Sequence, residues 1–131
     1  MKREILEWVD KAEGDFISAM REYRARKRPN YDAACFHAQQ SAEKYLKAYL
    51  QLLKITIPKT HDLVRLLSEI PPSPVLESLR PGMAKLTAYA VEYRYPGECA
   101  SREVAKEAIS VSVAIREELR LLLSLSRECP Q

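Results

Sequence analysis

From Tyr31 to Lys54 the chain contains neither glycine nor proline, and that continuity constrains the fold more than any other feature. It predicts one helix of about 36 Å at 1.5 Å per residue. Tyr31, Cys35, Ala38, Ala42, Tyr45, Leu46, Tyr49 and Leu53 recur at helical spacing and draw a broad apolar stripe. His37, Gln40, Lys44, Lys47 and Gln51 fall on the opposite side, with a mixed seam of Phe36, Gln39, Glu43 and Leu50 between the two faces. The stripe is core. The polar side is either a solvated face or, since Phe36 and Leu50 flank the seam, a surface covered by a partner.

The remaining segments supply faces to pack against that stripe. Residues 2–25 form a first amphipathic helix through Ile5, Trp8, Val9, Ala12, Phe16, Ala19, Met20 and Tyr23. Gly14 interrupts it and marks a place where a neighbour approaches closely. Pro29 ends the helix and Asn30 caps the next one. So short a connection makes the two helices antiparallel neighbours. Thr60 caps a short third helix containing Leu63, Leu66, Leu67 and Ile70, which Pro71-Pro72-Ser73-Pro74 terminates. Val75–Leu79 makes a further turn before a break at Arg80-Pro81-Gly82. Periodicity returns from Met83 to Tyr93, stops at Tyr95-Pro96-Gly97, and resumes over residues 101–127 through Val104, Ala108, Val111, Ile115, Leu119 and Leu122. Strand-like alternation and internal repeats are absent. The expected architecture is an all-α, up-and-down bundle of four or five helices, with residues 1–131 as one domain.

Composition removes several function classes. Hydrophobic residues make up 47% and charged residues 30% of 131 positions, with a formal net charge of +3. That is a globular balance, too mildly basic to imply nucleic acid by itself. Apolar runs fall well short of the roughly 20 residues a membrane span needs. The N-terminal MKREILEWVDKAEGD carries acids inside its apolar period, unlike a signal peptide. Cys35, Cys99 and Cys129 form no CxxC pair and no even framework; Cys35 lies on the apolar stripe, and a reducing cytoplasm is the simpler setting.

Metal, cofactor and phosphate-loop chemistry lack their residue patterns. His37 and His61 are far apart in sequence and stand in no metal-ligand spacing, and a glycine-rich loop is missing. Nothing nominates a nucleophilic serine. The basic run Arg21, Arg24, Arg26, Lys27 and Arg28 serves either a helix C-terminus or a phosphate-attracting patch. His61-Asp62 is either a capping turn or part of a site. Two constellations carry the remaining functional signal. One is the polar side of the central helix, with His37, Gln40, Lys44 and Lys47 beside Gln39 and Glu43. The other is Tyr93-Arg94-Tyr95-Pro96, where an arginine between aromatics holds a phosphate, stacks on a base, or anchors its own loop.

Four stretches together resemble the HEPN family of small helical domains: WVDKAEGD from Trp8, CFHAQQSAEKYLKAYL from Cys35, THDL from Thr60 and YRYP from Tyr93. The resemblance implies a homodimeric four- or five-helix bundle, often encoded beside a minimal nucleotidyltransferase in toxin–antitoxin or stress modules. It implies a nucleotide (ATP- or GTP-like) as ligand, and in one branch RNA cleavage. Carried over by position, the implied nucleotide-binding residues are Gln40, Glu43, Lys44, Lys47, His61, Asp62, Arg94 and Tyr95. Lys44, Lys47 and Arg94 would meet phosphate, Tyr95 would stack, and His61 would offer a hydrogen bond near the start of helix three. The ribonuclease branch has an arginine followed, after four to six intervening residues, by its histidine. Here the corresponding positions are Asn30, Tyr31 and Asp32 before His37, and Lys54, Ile55 and Thr56 before His61. The expectation is therefore a non-catalytic nucleotide-binding partner of a nucleotidyltransferase, without cofactor or metal. Its rivals are a divergent ribonuclease using His61 and Arg94, and a pure protein-interaction module.

Overall fold

A computed structural model describes residues 1–125. Its elements are α1 (Arg3–Arg24), α2 (Tyr31–Leu52), α3 (Leu63–Leu67), α4 (Pro74–Ser78), α5 (Arg80–Glu92) and α6 (Arg102–Leu122), with no strand among the described residues. The all-α bundle is thus present. Cys129 and the expected end of the last helix at Arg127 lie outside the described residues.

α2 is the axis. Contacts pair Glu13 with Tyr45 and Trp8 with Lys47, so α1 runs antiparallel to α2. Contacts of Ser112 with Ala38 and of Arg120 with Tyr45 make α6 parallel to α2. Asn30 caps α2 by accepting from the Ala33 amide at 3.0 Å. At the other end Lys54 takes a left-handed conformation (φ 58°), and the Ile55 amide returns to the Leu50 carbonyl at 3.0 Å. That closing turn satisfies the last carbonyls without glycine and sends the chain back along α2 toward His61.

The core gathers Ile5, Val9 and Ala12 of α1, Tyr45, Leu46 and Leu50 of α2, and Ile115 and Leu119 of α6, closed by Leu63, Leu66, Met83 and Leu86. α2 is enclosed more completely than a single stripe requires. Ala34, Ala48 and even the polar Gln39, Ser41 and Glu43 are buried, and no residue from Tyr31 to Gln51 is exposed. The polar side of the central helix is covered by its neighbours, not solvated. Cys35 is buried within it, and burial together with the nearby Asp32 carboxylate pushes its thiol up to about 11.

Three local expectations are corrected. The cap of α3 is Asp62, which accepts from the Val64 and Arg65 amides, while Thr60 accepts from the Asp62 amide one step earlier. Arg80-Pro81-Gly82 does not break the chain. It forms the first turn of α5, where proline lacks no needed donor. Gly82, not Gly14, is the glycine at a close approach. A Cβ at Gly82 would meet Val111 Cγ2 at 3.0 Å, whereas nothing lies within 4 Å of one at Gly14. Gly14→Ala is accordingly expected to stabilise the protein by about 0.5–1 kcal/mol, by helix propensity alone. A raised thermal midpoint checks it. No helix among the described residues is long and apolar enough to cross a membrane.

Candidate functional site

One face of α2, the loop preceding α3 and the C-terminal end of α5 enclose a cleft of about 190 Å³. Phe36, Ala90 and Val91 give it apolar walls, Gln40, His61, Thr87 and Arg94 give it polar ones, and Gln39 completes the lining. α2 contributes Phe36, Gln39 and Gln40 because residues three and four apart share a face. Arg94 follows α5 in a turn closed from Glu98 to Tyr95, with Pro96 and Gly97 (φ 91°) at its centre. Only glycine takes that backbone conformation freely, so Gly97 suits the turn after Arg94, while the Arg94 amide itself donates to the Val91 carbonyl at 3.3 Å.

A buried carboxylate lies behind this cleft. Glu43 is 3% exposed, and its Oε2 accepts from Lys47 Nζ at 2.9 Å. Its Oε1 meets His61 Nδ1 at 2.9 Å and accepts from Gln39 Nε2 at 3.3 Å. Gln39 Nε2 also donates to the His61 carbonyl at 2.7 Å, and Gln40 Nε2 donates to Gln39 Oε1 at 2.8 Å. The His61 segment is thereby tied to α2 through backbone and ring together. Because a carboxylate only accepts, Nδ1 carries the hydrogen and Nε2 of the neutral ring is left as an acceptor. The His61 side chain is 81% exposed, so that nitrogen is open to a ligand.

A second arrangement of the same kind joins α1 to α2. Asp15 Oδ1 meets His37 Nδ1 at 2.8 Å while its Oδ2 accepts from Lys44 Nζ. Lys47 also lies over the Trp8 ring, 5.6 Å from its centroid. Both lysines of the central helix are thus matched by carboxylates and packed against protein.

A third network binds α1, α2 and α6. Glu13 accepts from Arg116 Nε at 2.8 Å and Nη2 at 2.7 Å, and from the Tyr45 hydroxyl at 2.5 Å. Arg120 Nη1 lies 3.4 Å from Glu13 and donates to Tyr45 Oη at 2.9 Å. Burial alone would raise the Glu13 carboxyl. The hydrogen bonds from Arg116 and Tyr45, with the charges of Arg116 and Arg120, outweigh it and hold the group below its usual value. Tyr45 is pushed up, by burial first and then by its bond to Glu13. Among the described residues no group of three His, Cys, Asp or Glu side chains is placed to share a metal ion.

The family model for the HEPN domain matches residues 5–122. The chain belongs to the HEPN family. Its backbone is similar to that of ST0689, an archaeal HEPN homologue, with a TM-score of 0.75 and 24% identity over 94% of this chain and 99% of that one. It is equally similar to TT1696 from Thermus thermophilus, with a TM-score of 0.75 and 24% identity over 94% and 98% of the two chains. At that identity the likeness concerns the fold. No curated protein matches the chain.

Within this HEPN domain the expected site residues separate into groups. Gln40, His61 and Arg94 meet in the cleft. Glu43 stands behind it as the partner of His61, and Lys47 is held on Glu43. Lys44 turns toward Asp15 of α1, Asp62 is used in capping α3, and Tyr95 is 64% exposed in the turn beyond the cleft. The sequence reading missed Asp15, Thr87, Ala90 and Val91. A charged Glu13 beside Ala12 and Phe16, and Arg116 beside Ile115, were visible signals of a buried pair. For Thr87 and Val91 no sequence signal existed, since only the packing of α5 against α2 brings them to the cleft.

Proposed function

We propose that this HEPN domain binds a nucleotide in the cleft between α2 and α5 and acts, as a homodimer, as a non-catalytic regulatory or substrate-presenting partner of a minimal nucleotidyltransferase. The observation supporting the ligand is the meeting of Arg94 and His61 on one apolar-walled cleft. The Arg94 guanidinium there provides charge and hydrogen bonds for phosphate, the outward Nε2 of His61 accepts from a sugar hydroxyl or a base, and Phe36 with Ala90 and Val91 provides a surface for a base. The partner rests on the family alone.

Calorimetry with ATP and GTP at low salt tests the ligand. Binding is expected to weaken at least about tenfold in Arg94→Ala, the loss of one charge-assisted contact. No heat and no saturation with the wild-type protein would remove the ligand half. A minimal nucleotidyltransferase in the neighbouring reading frame, co-eluting with this protein in size-exclusion chromatography, is the expected result for the partner half; a neighbouring frame of another kind removes it.

A second reading has its own observation. The bond from Glu43 to His61 Nδ1 orients the ring as acid–base histidines are oriented, opposite Arg94, although no Arg stands at the ribonuclease spacing before it. Divergent RNA cleavage would then be lost in His61→Ala and kept in the surface control Lys106→Ala. An interaction module without ligand predicts that neither Arg94→Ala nor Lys44→Ala alters anything except partner affinity.

A further inference from the structure

We infer that the cleft takes a single nucleotide and engages one of its phosphates, further phosphates adding nothing to affinity; this rests on the nucleotide reading and narrows it. Volume limits the cleft to one base, and charge limits it to one phosphate.

The central helix presents two lysines, but neither is available to a polyanion. Lys44 is bonded to Asp15, and Lys47 is bonded to Glu43 at 2.9 Å with its side chain 12% exposed. Moving either ammonium to a phosphate would leave a carboxylate behind; for Glu43, 4% exposed at the side chain, that means a buried charge without its cation. Arg94, in contrast, makes no ion pair among the described residues and lines the cleft. One guanidinium, with its forked N–H donors, engages one phosphate. Each further phosphoryl group adds charge that the cleft does not meet.

Volume points the same way. At about 190 Å³ the cleft is smaller than the roughly 300–1,000 Å³ of pockets that engulf a whole small molecule. It accommodates a base between Phe36 and Val91, with the Gln40 amide and Thr87 hydroxyl at its edge. Sugar and phosphate stay on the rim, where the exposed Arg94 stands. A free mononucleotide and the phosphorylated end of an RNA share this chemistry.

The test is a calorimetric series at fixed ionic strength: adenosine, AMP, ADP and ATP, then guanosine, GMP and GTP, with a 5′-phosphorylated RNA tetramer and its unphosphorylated twin. Mono- and triphosphates are expected within about threefold of each other and the nucleoside at least about tenfold weaker than its monophosphate, the scale of one charge-assisted contact. In Arg94→Ala that last gap closes. Because Arg94 is exposed in a turn, this variant retains the fold, which circular dichroism verifies. A 5′-phosphorylated tetramer binding as tightly as AMP assigns the nucleotide to an RNA end; a much weaker one assigns it to the free pool, and either keeps the single phosphate. Triphosphates binding more than about tenfold tighter than monophosphates overturn the inference while leaving the nucleotide reading in place. Absence of binding across the whole series overturns both.

Discussion

Glu13→Ala is expected to destabilise the protein by about 3–5 kcal/mol, as is usual when one member of a buried ion pair is removed. The Arg116 side chain is 3% exposed and directs both Nε and Nη2 at this carboxylate, while its guanidinium carbon lies 4.8 Å from the Phe16 ring centroid. Tyr45, fully buried, loses its acceptor in the same change. Three helices therefore loosen at one point. Urea denaturation measures the cost, and a loss below about 1 kcal/mol, the range of exposed pairs, would show that the network contributes no more than a surface bridge. The pH dependence has a definite sign. Glu13 is held below its usual value in the native state, so its contribution is complete above the unfolded carboxylate value of about 4.3 and disappears as pH falls through the lower native value. Between about pH 5 and pH 2 the thermal midpoint of the wild type should fall more steeply than that of Glu13→Gln. Parallel curves would contradict this.

Glu43→Ala is expected to cost about 2–4 kcal/mol and to weaken ligand binding at the cleft as well. Its removal leaves Lys47 at the protein interior without a counter-charge and Gln39, 1% exposed, with one acceptor fewer. It also frees the His61 ring, whose Nδ1 this carboxylate holds. Stability and binding should separate in a second variant. Glu43→Gln keeps the shape and an acceptor for Lys47, so it recovers part of the stability. Its single carbonyl oxygen replaces only one of the two carboxylate oxygens, so kept on Lys47 it turns the NH2 toward His61 Nδ1, the ring loses the acceptor that orients it, and binding stays weak. Denaturation curves and calorimetry on both variants and the wild type provide the comparison. Equal binding by all three proteins would show that His61 needs no positioning.

Which parts of the site were legible follows from how far apart their residues stand in sequence. Gln40, Glu43 and Lys47 lie on one helix, where spacing alone places them on neighbouring faces. What those side chains do was not legible, because Asp15 belongs to another helix and its approach to Lys44 depends on how α1 crosses α2. The same limit explains Gly14 and Gly82. Sequence marks both as glycines inside or beside helices, and only the packing of α6 shows that Val111 crowds one and nothing crowds the other. In sequence His61-Asp62 is open to either a capping turn or a site, and only the α3 amides bound to Asp62 show that it caps.

Sequence by itself determined the helices, their order, the apolar stripe of α2 and the family, because periodicity, breakers and caps act over a few residues. Tertiary structure decided which polar groups of that helix are available. A lysine's charge is the same in either setting, but a carboxylate arriving from a distant segment consumes it. Arg94 and His61, thirty-three positions apart, become one site only because α5 packs back along α2.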